Sequence, residues 1–469
     1  MTTVLAARHA VLPTPDGGLE VVPAHVTVEH GWITAVERAP EGGPPPGADE
    51  LGDHLLTPAF VAPHTHLALA ALRGPRTGAA STGNVVEDWF FPVERALLPE
   101  DVRAFTAVGA REALLHGVAC AWEHFYAPQA VLQGLQDAGL AGVVAPPLQD
   151  LSGPGVGHAE ENLQRTAALA ADDRLAAQGL GVALGPHATD TVSDALWRRV
   201  ADVAAHLGLP VHTHVAQSPE ELARSLARHG TTPLTRLARL GVLDAGSRWL
   251  LVHALFATDA ELRALDPTRH CLVTCPRAMA QAGFPSPVAA WEEAGATWVV
   301  APDAPAGNDG VDPQAELAAL VQQRTADVAT SPELAAFRAG GSAEPVWARR
   351  QEAWTRRASL GDPVALLHRV WTLPGALHPE LPCGVLRAGT LAHLALWDLR
   401  HPTFWPAEDP LRALALGRTS GALAQLMVAG RWRTARGQHA SLGHDDTWQA
   451  LRAEASGRRA ALLRRAGVA

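Results

Sequence analysis

From about residue 55 to residue 304 the chain repeats one rhythm, a short apolar run followed by a longer amphipathic stretch. The runs are LLTPAFVAPHTH, GVACAWEHF, GVVAPPLQD, GVALGPHAT, LPVHTHVAQ, WLLVHALF, HCLVTCP and ATWVVAPDAP. Between them lie segments such as PEDVRAFTAVGAREALLHG and SDALWRRVADVAAHLG, with apolar residues at helical spacing. Strands that are apolar throughout are covered on both faces, and alternating β and α units build a parallel sheet. Eight such units predict an α/β fold, a (β/α)8 TIM barrel.

Both ends of the chain read differently. Residues 3–37 alternate apolar and polar positions, with PDGG and HG as turn signals, and predict a small β module. PEGGPPPGADE, residues 40–50, is a Pro/Gly-rich connector. β character returns in GVLRAGTLAHLALWDL and LAQLMVAGRWRTARGQ, and DTWQALRAEASGRRAALLRRA reads as a closing helix. The organisation expected is residues 1–57 and 385–440 as the two parts of a small flanking β-sandwich, 58–384 as the barrel and 441–469 as the C-terminal helix. Residues 312–360 read as a charged helical excursion after the eighth strand, a lid or a packing extension.

Polar residues stand at the ends of these apolar runs, the place where barrel strands converge on one face. They are His64 and His66 in APHTH, His187 in LGPHA, His214 in VHTHV, His253 in LLVHA and Asp303 in VVAPDAP. His64 and His66 stand at i and i+2, so a strand directs both imidazoles to one face. Any one of these histidines alone reads most simply as a packed residue. Four imidazoles and a carboxylate at the ends of successive strands instead make a mixed N/O set for a divalent metal. His212 lies one layer deeper on the face of His214 and is expected to be packed and hydrogen-bonded.

Composition limits the partners. The formal net charge is −10 and the pI about 6.1, without the basic footprint of a nucleic-acid binder. No apolar run reaches the roughly 20 residues of a membrane span, and the N-terminus lacks a signal peptide's apolar core, so a cytoplasmic location is expected. The four cysteines, Cys120, Cys271, Cys275 and Cys383, show no zinc-ribbon spacing and are expected to be reduced and buried. The chain contains no lysine, so no Schiff base and no carboxylated-lysine metal bridge can be made.

With LLTPAFVAPHTHLALAALRG, LGPHATDTVS, GLPVHTHVAQSPEE, LLVHALFAT and APDAPAGND in this order, the chain resembles the amidohydrolase superfamily. It is most similar to the branch of cytosine, guanine and S-adenosylhomocysteine deaminases and triazine chlorohydrolases. The resemblance implies that His64, His66, His214 and Asp303 hold one divalent metal, zinc in the first place, with iron and manganese tolerated by the same ligands. It implies that His253 orients the attacking water or leaving group, that His187 touches substrate, and that Asp303 also accepts the water's proton. It further implies a small-molecule substrate and a homodimer. The expected function is hydrolysis of a carbon–nitrogen bond other than a peptide bond, as deamination of a small aminopurine-, pyrimidine- or triazine-like compound. Chlorohydrolase-type hydrolysis and a non-catalytic metal- and ligand-binding barrel are the alternatives.

Gln217 keeps those alternatives open. The resembled family carries a proton-shuttling glutamate there, and an amide cannot transfer a proton at neutral pH. His253 and Asp303 are the nearest substitutes, with Glu123 and His124 in AWEHF further stand-ins. Alternatively, the substrate needs little protonation and Gln217 only hydrogen-bonds it, or turnover is poor. TCPRAMAQ departs from the family's Cys-Pro-x-Ser-Asn pattern, and Arg277 is there either an anion contact or a solvated arginine. In GNVVEDWFFPVERAL, Trp89 and Phe90 either wall the pocket or pack in the core. Asn308 and Asp309 either cap the following helix or touch ligand.

Overall fold

The structure is a computed structural model that describes residues 2–39, 43–74, 84–245, 248–323, 331–356, 358–406 and 408–468. Part of the Pro/Gly-rich connector and residues 324–330 of the charged excursion lie outside the described residues.

The N-terminal module comprises β1 (Thr2–Pro13), β2 (Leu19–Glu29), β3 (Trp32–Arg38), β4 (Asp49–Glu50) and β5 (His54–Pro58). Next come the buried strands β6 (Phe60–Thr65), β7 (Val118–Glu123), β8 (Ala141–Val144), β9 (Pro147–Leu148), β10 (Leu180–Val182), β11 (Gly185–Pro186), β12 (Val211–Val215), β13 (Trp249–His253), β14 (His270–Thr274) and β15 (Thr297–Val300). The C-terminal strands are β16 (Thr390–Leu391), β17 (Leu394–Asp398), β18 (Leu423–Val428) and β19 (Arg431–Trp432).

Each of the eight apolar runs contains a strand, but the expected single closed barrel is not one continuous sheet. β6–β7–β8–β10 and β12–β13–β14–β15 form two four-stranded parallel sheets, and β9 pairs with β11. Isolated parallel bridges join them: Leu184 to Val211, Ala188 to His214, and Thr65 to Asp303. Proline explains part of the interruption, because Pro146 and Pro186 offer no N–H to a ladder.

Strand alternation sorts the core into two layers. Val61, Cys120, Trp122, Leu250, Val252, Cys271, Val273 and Val299 cluster together. Their neighbours Ala119, Ala121, Leu251, Leu272 and Val300 pack with helical residues such as Phe105, Leu135 and Trp197. All four cysteines are buried thiols.

The terminal segments combine in one nine-stranded sheet, where a two-layer sandwich was expected. The chain crosses between sheets at Ala59, between β5 and β6, where its N–H donates to the His393 carbonyl at 2.9 Å. The closing helix Asp446–Arg465 is capped by Asp445, and its Arg459 donates to the Ala71 carbonyl at 2.6 Å. No helix among the described residues is long and apolar enough to cross a membrane.

One helix contact sets the position of the first histidine loop. Gly109 lies inside the helix Pro99–Leu115 against Leu67, directly after His66. A Cβ at Gly109 would stand 2.5 Å from the Leu67 carbonyl oxygen. Gly109→Val should therefore push this loop outward and cost about 1–3 kcal/mol, read as a lower denaturant midpoint together with reduced metal uptake. A variant with unchanged midpoint and uptake would contradict this placement.

Candidate metal centre and active site

His64 and His66 reach the centre through an irregular strand end. By alternation from Val61, His64 would face the helices. The β6–β7 register shifts between Ala62 and Thr65, and this irregularity re-aims the ring inward. His253 is likewise out of phase with Val252, and its left-handed backbone, φ 75°, breaks the alternation. Asp303 adopts φ 69°. Such conformations are uncommon for residues other than glycine and gather at functional sites.

These side chains meet. Asp303 Oδ1 lies 3.4 Å from His64 Nε2 and 3.7 Å from His66 Nε2, and Oδ2 lies 3.9 Å from His253 Nε2. His64, His66 and His214 each offer a ligand atom within 4.8 Å of the others, as do His64, His253 and Asp303. The opposite ring nitrogens are committed elsewhere. His66 Nδ1 donates to the His124 carbonyl at 2.7 Å and His214 Nδ1 to the His187 carbonyl at 2.8 Å. His64 Nδ1 pairs with His212 Nε2 at 2.8 Å. The two carbonyl contacts fix the His66 and His214 tautomers that leave Nε2 free as a ligand. His64 Nε2 is buried without a hydrogen-bond partner, as a metal-ligating nitrogen would be in the absence of its ion.

Burial pushes the His64 imidazole down to about 4, against the pull of Asp303. It also lowers His66, His253 and His214, the last well below its ordinary value. Burial alone would raise Asp303, but His64, His253 and His66 outweigh it and hold the carboxyl below the usual carboxylate range. Neutral imidazoles around an ionised carboxylate are the donor set a divalent ion requires.

The centre opens into a cavity of about 770 Å³. Gln217, His187, His124, His253 and Trp89 line it. The backbone N–H of Gln217 donates to Glu221 Oε2 at 2.7 Å. Glu221 also accepts the Ala216 N–H at 3.1 Å and the Thr189 hydroxyl. Burial raises its carboxyl to about 7.

Glu123, offered as a proton-transfer stand-in, and Arg277, read either as an anion contact or as a solvated arginine, are not among the described residues lining the cavity. Glu123 is fully buried behind the histidine pair. Its Oε2 accepts the Thr65 hydroxyl and the Leu67 N–H, each at 2.8 Å, and so holds the loop that carries His66. Arg277 does not line the cavity among the described residues. Its backbone N–H donates to Glu316 Oε2 at 2.9 Å, and its guanidinium lies 3.8 Å from Oε1. Asn308 also turns inward, to the Pro302 carbonyl and, at 3.1 Å, to Glu316.

Sequence reasoning missed Glu94, Tyr126 and Asp190, which line the cavity, and Glu221 beneath it. Ser218-Pro-Glu-Glu221 has the spacing of a helix capping box, a signal for Glu221, though its carboxylate reaches further back. Glu94 ends the short helix Phe91–Glu94 and Asp190 lies in a turn, and neither carries a comparable signal.

The amidohydrolase family profile matches residues 55–433. The chain belongs to the amidohydrolase family. As a family member it is a hydrolase acting on C–N bonds. It is 26% identical over 437 residues to the 5-methylthioadenosine/S-adenosylhomocysteine deaminase of Natronomonas pharaonis, covering 92% of each chain. A zinc-bound adenosine deaminase from Xanthomonas campestris superposes with TM-score 0.81 at 24% identity, over 98% of both chains. An atrazine chlorohydrolase from Arthrobacter aurescens complexed with zinc superposes with TM-score 0.76 at 18% identity, over 97% of this chain and 100% of the other. The two superpositions establish the amidohydrolase fold, of TIM-barrel type.

Asp303→Asn should abolish stoichiometric metal binding, measured by elemental analysis after dialysis. Retained metal would remove Asp303 from the ligand set. Glu123→Ala should weaken metal affinity by about 10–100-fold, as loss of an outer contact does. Unchanged affinity in a chelator competition would show that the His66 loop holds itself.

Proposed function

We propose that the protein is a deaminase with one divalent metal ion, zinc in the first place. It hydrolyses the exocyclic C–N bond of a small amine-bearing heterocycle, adenosine-type nucleosides among them, and releases ammonia. The convergence of His66, His214, His253 and Asp303 on the cavity floor around His64, whose Nε2 is buried beneath without a hydrogen-bond partner, carries this reading. A single centre is supported by the sharing of His64 between both ligand groups and by the absence of lysine.

A divalent ion bound there supplies Lewis-acid activation, lowering the pKa of water from 15.7 to roughly 7. Asp303 accepts the proton of the attacking water and passes it toward the departing amine. His253, 3.9 Å from Asp303, orients that amine. His187 hydrogen-bonds the substrate, and Trp89 offers a flat apolar surface to its ring. Gln217 holds a ring nitrogen through its amide without transferring a proton.

Displacement of chloride is the second reading. It is favoured by Gln217 lining the cavity, since a halide leaves without protonation.

Metal-loaded protein should release ammonia from aminopurine nucleosides, and Asp303→Asn should not. Chloride release from chlorotriazines with no ammonia from any amine would replace the first reading by the second. Gln217→Glu should raise ammonia release by about 10²-fold, the usual contribution of a general acid–base group. A fall instead would mean that the amide is adapted to the substrate.

A further inference from the structure

The cavity above the metal ligands is rich in carboxylates and aromatic rings and poor in cations. Glu87, Glu94, Asp190 and Glu220 line it, with the flat faces of Trp89 and Tyr126. Among the described residues lining it there is no arginine, and the chain has no lysine. Arg224 comes near but is consumed: it donates to Glu87 Oε2 at 2.8 Å and to Asp190 Oδ2 at 2.7 Å. Arg277 faces Glu316 instead. His124 is 1% exposed, and neither ring nitrogen has a hydrogen-bond partner.

We infer that this cavity selects its substrate by charge, admitting neutral or cationic amine-bearing heterocycles and excluding those with a phosphate or carboxylate. The inference rests on the deaminase reading and narrows its substrate class. An anionic group entering the cavity loses its hydration and finds no free charged donor among the described lining residues. It also meets Glu220, and like charges brought together oppose binding. The one positive centre the site would gain, an ion at the histidines, serves the reacting end of the substrate. Hydroxyl and amine groups fare better, since Glu94 can accept from them.

A matched series tests the inference on the metal-loaded protein: adenosine, 5′-amino-5′-deoxyadenosine and adenosine 5′-monophosphate. Binding is followed by calorimetry and turnover by ammonia release. The neutral and cationic compounds should bind, with kcat/KM for the monophosphate about 100-fold lower or worse. Glu220→Arg should narrow that gap by about tenfold. A monophosphate bound and turned over on a par with adenosine would overturn the inference, as would a gap that Glu220→Arg leaves unchanged. The same charge order in binding without ammonia from any compound would overturn the deaminase reading and leave the charge selection standing.

Discussion

A carboxylate buried away from water must be surrounded by donors or positive charge. Asp303 is 8% exposed and stands within reach of His64, His66 and His253. That arrangement requires the first and last parallel strands to meet. They do so at the Thr65–Asp303 bridge, where the Asp303 N–H donates to the His64 carbonyl at 3.2 Å. The loop behind it is tied by Asn308, which joins the Pro302 carbonyl to Glu316. The curvature of the two parallel sheets and the strained turn at Asp303 thus serve one carboxylate.

The same device supports the floor on two sides. Glu123 gathers the N–H groups of Leu67 and Ala68 after the His64–His66 pair. Glu221 gathers those of Ala216 and Gln217 after His214. Burial raises their carboxyls to about 8 and about 7, while these hydrogen bonds pull them down. Each buried acid fixes the backbone just beyond a histidine-bearing strand, so the imidazoles need little reorganisation to converge. Preorganisation of this kind is what a metal site asks of its outer contacts.

Periodicity made the strands and their polar ends legible, because buried parallel strands read as apolar runs and their ends fall before turn residues. It could not show that His64 and His253 depart from alternation, since a register irregularity and a left-handed backbone leave no mark in hydrophobic spacing. Nor could it separate Glu123, which turns behind the loop, from His124 beside it, which lines the cavity. The difference is which face of a strand end each occupies. Arg277 illustrates the same limit: its partner Glu316 lies 39 positions away, and only the folded chain brings them together. Part of the interruption of the parallel strands, the separation of β9 and β11 from β8 and β10, falls at Pro146 and Pro186, local breaks that the apolar runs conceal.

The neutral Gln217 takes on a physical sense against its surroundings. Its own backbone is held by Glu221, and the cavity it faces is lined by Glu87, Glu94, Asp190 and Glu220 with no arginine among the described residues. Another carboxylate at 217 would add negative charge to a wall whose described residues offer no cation beyond Arg224, which Glu87 and Asp190 already share. In so acidic a place the carboxyl would be pushed toward its protonated form, as burial already does to Glu94, raised to about 8. An amide keeps one donor and one acceptor at that point without the repulsion. The charge of the cavity and the identity of residue 217 are then two expressions of one electrostatic constraint.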